Sequence, residues 1–212
     1  MIILKEEPIM TLPKYIETKP LAEQPHLSLF DNVYQTIDGK EKHYTVASRN
    51  SDYSPLKQKC NAVTMFVLNK AMNRMIATHE YRYPVNRYTT STPAGLIDDG
   101  ESPLLAAVRE LQEETGYFHV LKYAELPATF SSVGMSDELV KPIVLVIDET
   151  YQKDQNLGDT EVIKYFWMSK DEARKTALND TIGLTARAQL AYLLFASDAF
   201  ETLDYIKLAG KE

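Results

Sequence analysis

The sequence predicts an α+β protein: a mixed β-sheet sandwiched between helices, with an N-terminal antiparallel β-hairpin as an extension. Three observations predict it. Short apolar runs bounded by turn residues recur from Ala62 onwards, one well-capped helix interrupts them, and two helical segments close the chain after Ser169. Strands, one helix, strands and then helices is the order expected of a sheet covered on both faces. The chain has 212 residues, 44% hydrophobic and 25% charged, which is an ordinary globular composition. That length allows one domain of about 150 residues with a sizeable extension. The division expected is 1–55 for an arm and hairpin and 56–212 for the main domain.

Residues 1–25 are Pro-rich and read as an irregular arm with at most a short strand. His26 to Thr36 and Lys42 to Ala47 read as two strands around an Asp38-Gly39 turn, a common hairpin signal. Asn50 to Lys59 is polar, contains Pro55, and reads as the joint to the main domain. Ala62–Leu68 and Met75–His79 flank the polar Asn69–Asn73 turn as a second hairpin, and a short strand near Tyr88–Thr90 leads into Pro93-Ala94-Gly95. After the central helix come apolar strands at about Ala124–Phe130, Lys141–Ile147 and Val162–Met168. Ser169 and Glu172 form a Ser-x-x-Glu capping box for a helix running to about Leu178. Leu184 to Ala196, with Leu190, Leu193 and Leu194 at helical spacing, reads as a final packing helix.

The central helix carries the chemistry. Ser102 is a good N-cap, Pro103 suits the first helical position, and Gly116 can take the left-handed C-terminal conformation. At 100° per residue, Leu104, Val108, Leu111 and Thr115 share one flank. Ala106, Glu110, Glu113 and Glu114 share another, so one stripe faces a core and the other a cleft. Like charges at this spacing repel by a few tenths of a kcal/mol per pair, about what a solvated face tolerates. A hard divalent cation neutralises such a cluster, and carboxylate and carbonyl oxygens suit Mg²⁺ or Mn²⁺ better than zinc. Arg109, four residues before Glu113, is placed to orient that carboxylate.

Charge and composition exclude several classes. A net charge of −7 and four scattered histidines argue against a nucleic-acid platform and against a histidine metal site. No apolar run approaches the roughly 18 residues that span a bilayer, so no membrane partner is expected. Cys60 is alone, which fits a reducing cytosol, and Met-Ile-Ile-Leu-Lys-Glu-Glu carries no secretory pattern; a cytoplasmic location is expected. The tyrosines and Trp167 read mainly as packing.

Residues 95–117 resemble the signature of the Nudix hydrolases. That box is Gly, five residues, Glu, seven residues, then Arg-Glu-apolar-any-Glu-Glu-any-Gly-apolar. Gly95, Glu101, Arg109, Glu110, Leu111, Glu113, Glu114 and Gly116 fall in register, with Tyr117 last. Seven single-residue requirements at common-residue frequencies give a chance match at one start on the order of 1 in 10⁸. The resemblance implies a metal held by Glu110, Glu113, Glu114 and the Ala94 backbone carbonyl, with Glu101 either supporting the loop or bracing the helix. Outside the box, Glu80–Val85, Pro93–Gly95 and Gly134–Glu138 resemble the ADP-ribose pyrophosphatase branch.

That branch implies hydrolysis of the diphosphate of a nucleoside diphosphate sugar, ADP-ribose to AMP and ribose 5-phosphate. It further implies a general base on a mobile loop, for which Glu161 is the first choice and Glu138 the second, with Glu114 in the catalytic set. Arg82 and Arg49 would grip the diphosphate or the adenosine end. Gly134, Met135 and Ser136 would lie near the terminal ribose, and the hairpin would form a homodimer. The chain departs from the branch at Ser91-Thr92 and at Val133. Neither position touches the carboxylates, so the reaction class follows and the nucleoside stays open. Alternatives are a non-hydrolysing nucleotide-sugar sensor, or a hydrolase of GDP-mannose or a dinucleotide cofactor.

Overall fold

The computed structural model describes residues 12–208. The expectations for the first turns of the arm and for the extreme N-terminal sequence lie outside the described residues. The chain divides into two compact units: the described residues up to Lys59 with Phe130–Leu139, and Cys60–Thr129 with the described residues from Val140 onwards.

The first unit is a three-stranded antiparallel sheet in the order β1-β2-β3, built from β1 (Lys14–Ala22), β2 (Ser28–Gln35) and β3 (Glu41–Ser48). The expected hairpin is there. Gly39 has φ +82°, and the Thr36 N–H donates to the Lys40 carbonyl at 2.8 Å across the turn. β1 corrects the reading of residues 1–25 as an irregular arm. It is a nine-residue strand paired with β2 from Lys14↔Gln35 to Ala22↔Leu29. Its prolines misled: Pro20 lies on an edge strand beside a register irregularity, where its missing N–H breaks no central ladder. Phe30, Val33 and Val46 are buried, and the Tyr53 ring lies 4.9 Å from Phe30.

The second unit begins with β4 (Cys60–Asn69), β5 (Arg74–Arg82), β6 (Arg87–Ser91) and β7 (Ala94–Leu96), followed by α1 (Pro103–Thr115). Then come β8 (Val120–Glu125), β9 (Thr129–Phe130), β10 (Leu139–Ile147) and β11 (Ile163–Ser169). α2 (Lys170–Ala177), α3 (Ala186–Ala196) and β12 (Ile206–Lys207) close it. The main path of the sheet runs β11-β5-β4-β10-β8-β12. β8 corrects the expected strand at Ala124–Phe130: it starts four residues earlier, with Val120 and Ala124 buried, and ends before Pro127. Pro127 cannot donate to a ladder, so the run breaks there and strand structure resumes only in the two residues of β9.

Strand alternation sorts the core into two layers. Val63, Met65, Val67, Ile76, Ile143 and Leu145 pack with Ala106, Ala107 and Leu111 of α1. Phe66, Leu68, Met75, Ala77, Val144 and Val146 pack with α2 and α3 on the other face. The Ser169–Glu172 capping box forms in full. Trp167 is packing, as expected: its Nε1 donates to Tyr117 Oη at 3.1 Å and it joins the α1 layer. No helix among the described residues is long and apolar enough to cross a membrane.

Candidate active site

α1 is fixed by a serine cap at its start, a close glycine approach at its end and another along its acidic face. Ser102 caps its first turn by accepting from the Leu105 N–H at 3.3 Å. Gly116 has φ +77°, and a Cβ there would meet the Lys153 carbonyl oxygen at 2.0 Å. The loop after β10 runs across this end and satisfies carbonyls that the helix cannot pair internally. Lys153 N–H donates to Gly116 O and Asn156 N–H to Glu113 O, both at 2.9 Å. Gln152 Nε2 donates to Thr115 O at 3.0 Å, and Gln155 Nε2 donates to Glu114 O. A Cβ on Gly95 would fall 1.8 Å from Glu110 Cδ, so that glycine makes room for a carboxylate.

Arg109 is the hub of the acidic face. Its guanidinium donates to both Glu101 oxygens at 3.1 and 2.9 Å and to the Leu96 carbonyl at 2.9 Å. Its Nη1 is shared between Glu110 Oε1 at 2.9 Å and Glu113 Oε2 at 3.1 Å. Hydrogen bonding to Glu101 chiefly holds the guanidinium protonated, and the same bonds hold the Glu101 carboxyl below its ordinary range. Glu101 therefore braces the helix through Arg109, and also accepts from the Asp98 N–H at 3.2 Å.

The neighbouring carboxylates behave in the opposite way. Burial raises the Glu110 carboxyl against the pull of Arg109. Glu114 is 6% exposed and lies well above its usual range, first through burial and then through the like charges of Glu110, Glu80 and Glu161. One Glu114 oxygen accepts from the Ala94 N–H at 3.3 Å. Burial also raises Glu80, opposed by Arg82 and reinforced by Glu161. Glu161 accepts from the Gly158 N–H at 2.8 Å across a tight loop turn. Four carboxylates thus share one electrostatic environment.

Of the residues expected from sequence, the second unit gathers Ala94, Glu110, Glu114, Glu161 and Arg82 near one another or in shared electrostatic contact. Glu113 turns to Arg109 and stays partly exposed. With the carboxylates committed in this way, no three His, Cys, Asp or Glu side chains among the described residues lie in metal-holding geometry. The first unit gathers the others. Arg49 Nε pairs with Glu138 at 3.2 Å, and the Ala47 N–H donates to the Met135 carbonyl at 2.9 Å. Tyr44 Oη donates to Gly134 O at 3.1 Å. Met135, Ser136 and Asp137 line a cavity of about 310 Å³ with Tyr34, Tyr44 and Tyr53. Sequence reasoning missed Glu80, whose signal was its i, i+2 spacing from Arg82 on a strand. It also missed the loop residues Gln152 to Asn156, whose partners are backbone carbonyls and leave no signal.

This geometry, with the carboxylate helix between a strand and a docked loop, meets its family in the comparisons. The NUDIX domain family model matches residues 58–188, more than half of the chain, and the chain belongs to that family. Nudix hydrolases generally depend on a divalent metal. The chain is 29% identical to an ADP-ribose pyrophosphatase of Bacillus subtilis, over 48% of this chain and 55% of that protein. It is 54% identical to an ADP-sugar pyrophosphatase of Mus musculus, over 55% of this chain and 56% of that one. It thus spans just over half the length of these two relatives. A crystal structure of an ADP compounds hydrolase superposes with a TM-score of 0.70 at 16% identity, covering 92% of this chain and 99% of that one. That likeness concerns the fold.

Proposed function

We propose that the chain hydrolyses the diphosphate bond of a nucleoside diphosphate sugar, with ADP-ribose as substrate and AMP and ribose 5-phosphate as products. The observation that carries this reading is the charge-unbalanced set Glu110, Glu114 and Glu161 beside α1, with Glu114 buried, Glu110 half-buried and Glu161 on an exposed loop, in a chain related to pyrophosphatases of ADP-ribose and ADP-sugars.

The donor set fits a hard divalent cation, Mg²⁺ or Mn²⁺. Glu114 is buried among like charges and gains most from a neutralising partner, and Glu110, Glu113 and Glu114 each keep one oxygen outside the bonds to Arg109 and Ala94. Those three carboxylates and the Ala94 carbonyl are the ligands in this reading. When bound, the metal neutralises diphosphate oxygens and lowers the pKa of the attacking water. Arg109 meanwhile fixes the rotamers of Glu110 and Glu113, and Glu114 keeps one oxygen on the Ala94 N–H.

Glu161 is the general base. Its coupling to Glu110, Glu114 and Glu80 supports this role, as does a loop turn that engages only one of its oxygens. Glu138 is engaged instead with Arg49, which suits anchoring of the Gly134–Ser136 segment at the sugar end. Arg82 and Arg49 take phosphate oxygens, because a planar guanidinium presents parallel donors. Residues 1–55 form the homodimer contact, and the protein works in the cytoplasm.

The test is to incubate the purified protein with Mg²⁺ and a panel of nucleoside diphosphate sugars, following products by phosphorus NMR. Equimolar AMP and ribose 5-phosphate from ADP-ribose is the expected result. Tight binding without turnover would instead identify a nucleotide-sugar sensor.

A further inference from the structure

Glu80 lies outside the carboxylate helix, yet the strand geometry aims it at the same region. Ile76 of β5 packs in the α1 layer, and alternate residues of a strand share a face. Thr78, Glu80 and Arg82 therefore follow Ile76 onto the α1 side. Glu80 Oε2 accepts from Arg82 Nη2 at 2.7 Å, a short charge-assisted bond between residues two apart on one strand. The two ends of this pair differ in exposure. The Glu80 side chain is 14% exposed and the Arg82 side chain 46% exposed. The carboxylate is thus an anchor set in the protein, and the guanidinium keeps its remaining N–H groups toward solvent.

The neighbouring strand adds an independent observation. β5 and β6 pair antiparallel with Glu80 opposite Thr89 and Arg82 opposite Arg87, and directly opposite residues share a face with Cβ atoms about 5 Å apart. Thr89 Oγ1 is sealed from solvent and has no hydrogen-bond partner among the described residues. Its hydroxyl lies on the face that carries Glu80, ready to donate to a Glu80 oxygen when Arg82 shares its donors with a ligand. The Tyr81 N–H donates to the Val162 carbonyl at 3.2 Å on the other side, so this stretch of β5 is held along both edges.

We propose that Glu80 is a positioning residue that presents Arg82 to the diphosphate, with Thr89 as its reserve partner. This rests on the pyrophosphatase reading, in which Arg82 grips the substrate. A flexible arginine loses rotamer entropy on binding phosphate, and a half-buried carboxylate that already fixes its fork removes part of that cost. The effect belongs to substrate binding, so it is read in KM rather than in kcat.

The experiment measures steady-state hydrolysis of ADP-ribose by wild type, Glu80→Ala, Glu80→Gln, Arg82→Ala and both Glu80 changes combined with Arg82→Ala, with circular dichroism confirming each fold. Glu80→Ala is expected to raise KM about tenfold with kcat within about twofold, the size of one charged hydrogen bond. Glu80→Gln keeps an acceptor and is expected to raise KM about threefold. In the Arg82→Ala background neither change raises KM further, because the residue acts through Arg82. If Glu80→Ala does not fold, the isosteric Gln variant carries the same cycle. Additive KM effects in the Arg82→Ala background, or a fall in kcat at unchanged KM, would overturn the proposal while leaving the pyrophosphatase reading intact. A wild-type protein that turns over none of the nucleoside diphosphate sugars would overturn both.

Discussion

Two groups of carboxylates in this molecule are held in contrasting ways. In the first unit Glu138 is balanced by Arg49, and Asp137 accepts from Ser48 Oγ at 2.9 Å and Asn50 Nδ2 at 3.0 Å. Each acid there has a donor of its own and the pairs are partly exposed. In the second unit Glu114 is buried, Glu80 and Glu110 are half-buried and all three are raised, and their mutual repulsion is met only in part by Arg82, Arg109 and one backbone N–H. Exposed balanced pairs contribute about 0–1 kcal/mol and serve mainly to hold a segment. A buried unbalanced set opposes folding on its own and points to a cation as its missing partner. The difference separates acids that anchor a segment from acids whose charge is left unbalanced.

The sharpest way to break the contrast is Glu114→Gln. Removing the most buried charge is expected to lower kcat for ADP-ribose by about three orders of magnitude, some 4 kcal/mol of transition-state stabilisation. The melting temperature of the metal-free protein should hold or rise, because a repulsive charge has gone. Unchanged turnover would place the chemistry elsewhere.

Gly95 and Gly116 sharpen it next. Gly95→Ala pushes on the Glu110 carboxylate, the movable end of a side chain, so catalysis should fall about 100-fold from misplacement of about 1 Å. Gly116→Ala meets backbone at a positive φ, so the loss appears as stability, at least about 2 kcal/mol in urea unfolding. Equal effects of both changes on stability would mean that Glu110 is not free to move.

A subtler effect concerns pH. In chelator-treated protein the raised carboxyls of Glu80, Glu110 and Glu114 hold protons more tightly folded than unfolded. Their contribution to stability is full below the ordinary carboxylate value of 4.5 and is lost as pH rises through their elevated folded values. The melting temperature should therefore fall from about pH 5 upward, and Glu114→Gln should flatten that fall. A melting temperature that instead rises over this window, beyond what Glu114→Gln also shows, would contradict the shifts.

The smallest effect belongs to the balanced pair. Arg49→Ala should raise KM a few-fold and leave kcat nearly unchanged, within about 1 kcal/mol for an exposed pair. Glu138→Gln should resemble it, whereas Glu161→Gln should abolish turnover. The reverse order would move the base to Glu138.

How much of this was legible in the chain depended on the range of the forces involved. α1 was fully legible because Ser102, Pro103 and Gly116 are local signals, and the observed helix spans Pro103–Thr115 as expected. The carboxylate register was legible because helical spacing fixes it. β1 was not, since its strand character comes from pairing with β2 and its prolines argued locally against it. β8 was misplaced because its bounds are set by β10 and by burial of Val120 and Ala124. The anchoring of Arg82 by Glu80 and the docking of residues 152–156 on the end of α1 exist only once strands and loop have met.

The most direct measurement is Mn²⁺ binding by electron paramagnetic resonance, comparing the wild-type chain with Glu110→Gln and Glu114→Gln. Loss of free Mn²⁺ signal with the wild type, weakened at least tenfold in both variants, is the result predicted from the clustered acids beside α1. Equal uptake by all three proteins, or none by the wild type even with ADP-ribose present, would contradict it.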